Sequence, residues 1–167
     1  MILLPLPVGS FRFTQKYGAR PRYYKKYGLN GHNGVDLAPN IPGTVGQLIY
    51  APHEGYVRIG REGKIGYGNF AQITSLPYNR EGMCHRSDLA HLMEFLVEDG
   101  QYVPMNEPIG KLGGNPGMEG SGDSSGAHLH WTYKKMRDGA TLFYDNGYHG
   151  ALDIGRYARQ WVLSTLL

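Results

Sequence analysis

Between Phe11 and Tyr133 the chain breaks into short runs of apolar, β-branched and aromatic residues, nearly all closed by Gly, Pro or Asn. "QLIYAP", "GYVRIGRE", "NFAQITS" and "HLHWTYKKM" show alternation or brief apolar clusters, the pattern of strands whose successive side chains point to opposite faces. "FRFTQKYG" reads as an entry strand, "SDLAHLM" as one strand carrying His91, and Ile109 to Leu112 as a further short strand. With 25 Gly, 10 Pro and 13 Tyr, the composition suits strands joined by tight turns. The expectation is an all-β (β-rich) domain.

The connections are legible too. "LPYNREGM" reads as the loop of a hairpin between Ile73 and Cys84, "ARPRYYKKYGLNGHNG" as a basic, Tyr-rich loop, and "GGNPGMEGSGDSSGA" as a Gly/Ser loop. The tail differs. Ile154, Tyr157, Ala158, Trp161 and Val162 follow one helical face, with Asp153 as N-cap, which predicts a short C-terminal helix over about 153–165. Gly155 weakens its first turn. No repeat or linker divides the 167 residues, so one domain is expected over 1–167, with its core at about 11–133.

Bulk properties exclude several classes. Hydrophobic residues at 41% and charged residues at 19% describe a globular chain rather than a disordered one. The single cysteine, Cys84, rules out an internal disulfide and a Cys-rich zinc site, and is expected to be a buried structural thiol. "MILLPLPVGSFRF" is short, has no basic leading region and carries Pro5 and Pro7, so it reads as neither signal peptide nor membrane span. No other stretch is long enough to cross a bilayer, and no membrane partner is expected. A net charge of +3 would suit an anionic polymer, cell wall or nucleic acid, as well as an ordinary surface.

The chemistry-bearing residues are mostly histidines: His32, His53, His85, His91, His128, His130 and His149. "GSGDSSG" lacks the Lys-Ser/Thr ending of a phosphate loop, and Ser124 and Ser125 lie outside a nucleophile-elbow pattern. His32 and Asp36 are four apart, so on a helix or on a strand they can converge. Gly34, Val35 and Pro39 argue against the helix. In "HLH", His128 and His130 share one face of a strand while Leu129 points to the other. By spacing alone they are two ligands, one ligand and one catalyst, or two ordinary strand residues. A catalytic zinc needs three protein ligands and an open position. His32, Asp36 and one of His128 and His130 would supply them, leaving the other histidine and His91 for proton transfer or charge stabilisation.

H-x-x-x-D, a strand ending in "AHL", and a Gly-rich loop running into "HLHW" together resemble the lysostaphin-type (LytM-like, M23 family) zinc endopeptidases of peptidoglycan. "TQKYGAR", "YAPHEGYV", "GYGNFAQI" and "VEDGQYVPMNEPIGKLGG" resemble the flanking segments, so the likeness covers about Phe11 to Tyr133. It implies an antiparallel sheet forming a substrate groove, and one zinc ion held by His32, Asp36 and His130. It implies His128 as general base and His91 as stabiliser of the developing oxyanion, with hydrolysis of amide bonds in wall stem peptides or crosslinks. Tyr23, Tyr24 and Tyr27 are candidates to line the groove. The expected partner is the peptide of bacterial peptidoglycan, with no nucleic acid, and the expected place of action is the cell wall. Without a visible export signal, a bacteriophage lysin or virion-associated enzyme, in company with other virion proteins, would explain delivery. The alternative is a LytM-like binding or structural module without catalysis. "SLPYNREGM" and the absence of a tyrosine before "AHL" depart from the family pattern and bear on one wall of the groove. Gly-Gly, D-Ala-containing and Ala-Gly bonds all fit.

Overall fold

The computed structural model describes residues 11–156. Its strands are β1 (Phe11–Gln15), β2 (Val35–Pro39), β3 (Leu48–Tyr50), β4 (Gly55–Arg61), β5 (Asn69–Thr74), β6 (Met83–Ala90), β7 (Leu92–Phe95), β8 (Tyr102–Val103), β9 (Pro108–Leu112), β10 (Leu129–Arg137) and β11 (Ala140–Thr141). Every strand pairing is antiparallel. The large sheet runs β1-β2-β10-β6-β5-β4-β8, with β11 on β10, and a smaller sheet runs β3-β9-β7. The β-rich reading is therefore the observed fold.

One apolar cluster ties the two sheets together. Leu37, Val57, Ala71, Ile73, Leu89, Leu129 and Trp131 come from the large sheet, and Ile49, Leu92, Ile109 and Leu112 from the small one. Fully buried Val, Leu and Ile side chains stabilise by roughly 1.5–3 kcal/mol each, which fixes β10 inside its sheet, between β2 and β6. The period of two in β10 then decides the site. Leu129 and Trp131 enter the core, so His130 and Thr132 emerge on the opposite face.

Three local expectations need correction. "SDLAHLM" is not one strand: β6 stops at Ala90, His91 takes φ 64°, and β7 pairs in the other sheet. The left-handed residue is the corner at which the chain changes sheets. The "ARPRYYKKYG" segment is not plain loop: Pro21–Tyr24 forms a helical turn, α1, and Lys25–Tyr27 a 3-10 turn. Pro21 presets the helical φ, and Arg20 enters it from φ 50°. Cys84 is half-buried rather than buried, with Sγ 3.6 Å from the Gly82 carbonyl. At the tail, Asp153 Oδ1 accepts the Gly155 N–H and a 3-10 turn covers Ile154–Arg156. The remainder of the expected helix, 157–165, lies outside the described residues. Among the described residues no helix is long and apolar enough to cross a membrane.

Candidate metal centre and substrate cavity

β2 and β10 are neighbours in the large sheet, and their register sets His130 directly opposite Asp36. His32 sits in the bend just before β2. Three donor atoms converge: His32 Nε2 and His130 Nδ1 are 2.8 Å apart, His130 Nδ1 and Asp36 Oδ1 2.9 Å, and His32 Nε2 and Asp36 Oδ1 3.1 Å. All three residues are buried. Gly34 makes this approach possible. A Cβ there would collide with the Trp131 carbonyl oxygen and press on His130 Cε1.

Tautomers follow from partners. His32 Nδ1 lies 3.2 Å from the Lys16 carbonyl, to which only an N–H can donate, so Nε2 faces the centre as a lone pair. Asp36 also presents a lone pair. His130 Nδ1–H is then the single proton shared by three crowded donor atoms, and a divalent cation would replace it. The atoms lie close enough together to share one ion with bonds of about 2.0–2.2 Å, and a His-His-carboxylate set suits zinc. Burial acts to raise the Asp36 carboxyl, but the hydrogen bond from His130 Nδ1 and the close imidazoles of His130, His32 and His128 hold it far below the usual carboxylate range. Asp36 is thus ionised, as a ligand must be. Burial pushes His130 below the ordinary histidine value, keeping it neutral.

The other two histidines of the expected set are adjacent. His128 Nδ1 donates to the Gly126 carbonyl at 2.8 Å and lies 3.0 Å from Ser124 Oγ. This orients the ring and leaves Nε2 as an acceptor, 3.6 Å from Asp36 Oδ1. The His91 ring is 4.7 Å from that of His128 and 6.0 Å from that of His130. His91 is buried, its Nδ1 has no hydrogen-bond partner among the described residues, and burial, with the neighbouring imidazoles, pushes it well below its ordinary value. It therefore stands as a neutral imidazole with unused hydrogen-bonding capacity. Its backbone is clamped on both sides: its N–H donates to the Tyr67 carbonyl at 3.1 Å, and its carbonyl accepts from Gly113 at 3.0 Å.

A cavity of about 510 Å³ opens over Asp36, His91, His128 and His130. Tyr23, Tyr24 and Tyr27 line it, as do Asn33, Tyr67, Asp123 and Ser124. The Tyr27 hydroxyl donates to Asp123 Oδ2 at 3.0 Å, linking the Tyr-rich segment to the Gly/Ser loop across 96 residues of sequence. Asn33 Nδ2 donates to the Tyr67 hydroxyl at 2.9 Å. Asn33, Tyr67 and Asp123 carry no sequence signal that assigns them to the site, and neither the role of Ser124 as a hydrogen-bond partner of His128 nor the place of His149 in the cavity lining follows from the sequence alone. The nearest hints are the place of Asn33 beside His32 and the spacing of four between Ser124 and His128. A smaller cavity, lined by Arg12, Thr14, Ala38 and Ser125, meets the first at Asp36 and His128. The donor cluster therefore stands where the two depressions share lining residues.

Comparison with known proteins agrees with this geometry. The model of peptidase family M23 matches residues 30–142, which contain His32, Asp36, His91, His128 and His130. No curated protein sequence matches significantly. Among solved structures, the catalytic domain of the antimicrobial peptidase lysostaphin from Staphylococcus simulans aligns with TM-score 0.60 and 23% identity, over 88% of this chain and 91% of that one. The catalytic domain of the prophage-encoded M23 protein EnpA from Enterococcus faecalis aligns with TM-score 0.58 and 24% identity, over 86% and 95%. A zinc-containing peptidase from Vibrio cholerae aligns with TM-score 0.58 and 22% identity, over 85% of this chain and 39% of that one.

Proposed function

Because the chain belongs to peptidase family M23, we propose that it is a zinc-dependent endopeptidase that hydrolyses amide bonds in the peptide stems or crosslinks of bacterial peptidoglycan. The observation that carries this reading is the convergence of His32 Nε2, Asp36 Oδ1 and His130 Nδ1 within one ion's reach, at the floor of a cavity that His91 and His128 also line. One zinc ion held there would act as a Lewis acid, lowering the pKa of a water molecule and polarising the scissile carbonyl.

The chain's own residues supply the rest. His128 takes the proton of the attacking water at Nε2, the atom its Gly126 hydrogen bond leaves free. The imidazolium so formed can pass that proton to the leaving amine. His91 donates a hydrogen bond to the oxygen on which negative charge grows, an interaction strengthened by its burial. Tyr23, Tyr24 and Tyr27 pack against the substrate peptide. The single domain over 1–167 is part of the same proposal. So is delivery to the wall by a bacteriophage, as a lysin or virion component. The likeness to a prophage-encoded M23 protein supports that delivery, and the neighbouring genes test it. Host wall-synthesis genes on both sides would contradict it.

The test is incubation of the zinc-loaded protein with several chemically distinct peptidoglycans, followed by mass spectrometry of the released fragments. New amino termini at one kind of amide bond are expected. Bound zinc with no cleavage of any wall would instead identify a binding or structural module.

A further inference from the structure

The family match ends at residue 142, yet the cavity wall does not. His149, seven residues further on, lines the same cavity as Tyr24, Tyr27, Asp36 and His91. Its position is built. Asn146 Oδ1 accepts the N–H groups of Tyr148 and Gly150 at 2.8 and 3.2 Å, and its Nδ2 donates to the Ala151 carbonyl at 2.8 Å. The whole turn is fastened to the domain from outside. The Asn30 N–H donates to the Gly147 carbonyl at 2.8 Å, the Tyr17 hydroxyl donates to the Ala151 carbonyl at 3.0 Å, and Leu152 N–H donates to the Tyr133 carbonyl at 2.8 Å. Tyr17 also packs its ring on Tyr148, 4.5 Å between centroids.

Inside that frame His149 holds φ 51°, a conformation uncommon for a residue with a side chain. Such a conformation persists where the surroundings over-determine it, and it clusters at binding sites. The imidazole lies flat on Tyr144, 5.6 Å between centroids at 9°, with Nε2 close to Gly28 at the end of the Tyr-rich segment. Among the described residues neither ring nitrogen makes a hydrogen bond. A half-buried imidazole, braced by a stacked tyrosine and held in a fixed turn, thus offers an unused polar atom to the cavity.

We propose that the segment after residue 142 forms a wall of the substrate site, and that His149 binds the substrate peptide there by hydrogen bonding a backbone carbonyl or a carboxylate. This rests on the peptidase reading above and extends it to a residue outside the family match. A hydrogen bond to a part of the peptide that does not react is made equally in ground and transition states. It therefore lowers KM and leaves kcat alone.

The experiment measures kcat and KM of the zinc-loaded protein on a peptidoglycan fragment that the wild type cleaves, for His149→Ala, His149→Phe and His149→Gln. Phe keeps the stack on Tyr144 and loses the hydrogen bond, whereas Gln keeps a donor. Ala and Phe are expected to raise KM about threefold to tenfold, the worth of one neutral hydrogen bond, with kcat within twofold and zinc content unchanged. Gln should recover part of the loss. Wild-type kinetics in His149→Phe would overturn the proposal and leave a packing residue. Equal loss of kcat in all three variants would overturn it as well. No cleavage by the wild type on any fragment would overturn the peptidase reading, and this inference with it.

Discussion

His130 Nδ1 stands 2.9 Å from Asp36 Oδ1, and the two residues are direct register partners across the β2–β10 ladder. Two of the three donor residues are therefore set by the sheet, with His32 placed by the bend that leads into β2. A one-residue slip of either strand would send one ligand into the core and bring an apolar side chain to the cavity. Trp131 and Leu129, both fully buried, guard against that slip.

Asp36→Ala removes the only carboxylate of the cluster and leaves two buried imidazoles facing each other. Zinc content after dialysis should fall from one ion per chain to near zero. Added zinc should raise Tm of the wild type by mass action and leave Tm of the variant unchanged. Metal analysis and thermal unfolding check both statements.

His128→Ala keeps all three donor atoms and removes the acceptor beside them. Zinc should stay bound while turnover falls by roughly 10² to 10⁴-fold, the usual worth of an acid–base group. Full activity with zinc bound would refute the division of labour between His128 and His130.

Gly34→Ala places a Cβ against the Trp131 carbonyl and His130 Cε1. Moving a central strand to relieve that clash costs about 1–3 kcal/mol, and it displaces a ligand. Lower Tm and weaker zinc affinity should appear together, read by calorimetric unfolding and metal titration.

His53 gives a pH dependence remote from the centre. Burial, foremost, and the neighbouring His85 lower it to about 4. Its Nδ1 donates to the Glu54 carbonyl at 2.9 Å, and its Nε2 accepts from the Ser87 hydroxyl at 3.1 Å, so the neutral ring is the satisfied one. The unfolded chain, with an ordinary value near 6.5, binds the proton more readily. Stability from this residue is therefore complete above about pH 6.5 and is lost as pH falls towards 4, a span worth about 3 kcal/mol. Denaturant unfolding of wild type and His53→Gln across that range should show the wild type losing its advantage on acidification.

Much of this was legible in the sequence, and the reasons are physical. The period of two in "HLHWTY" put His128 and His130 on one face and Leu129 in the core, because strand alternation is a local property. What failed was non-local. "SDLAHLM" reads as one strand, and only the existence of a second sheet explains why His91 turns to φ 64°. The helical turn at Pro21 is shorter than any periodicity can reveal. His149 carries no motif; its place in the cavity comes from hydrogen bonds to Asn30 and Tyr17, far away in the chain, which hold the turn around it. Which of the two "HLH" residues faces the cluster by Nδ1 is likewise decided by pairing with β2, not by spacing.

The most direct measurement of the central claim combines metal content with chemistry on one sample. Purified protein is assayed for zinc and then for new amino groups released from peptidoglycan, before and after chelation and after zinc is restored. One zinc per chain, release that stops on chelation and resumes on restoration, and no release by Asp36→Ala are the predicted results. Release that survives complete removal of zinc would contradict the account.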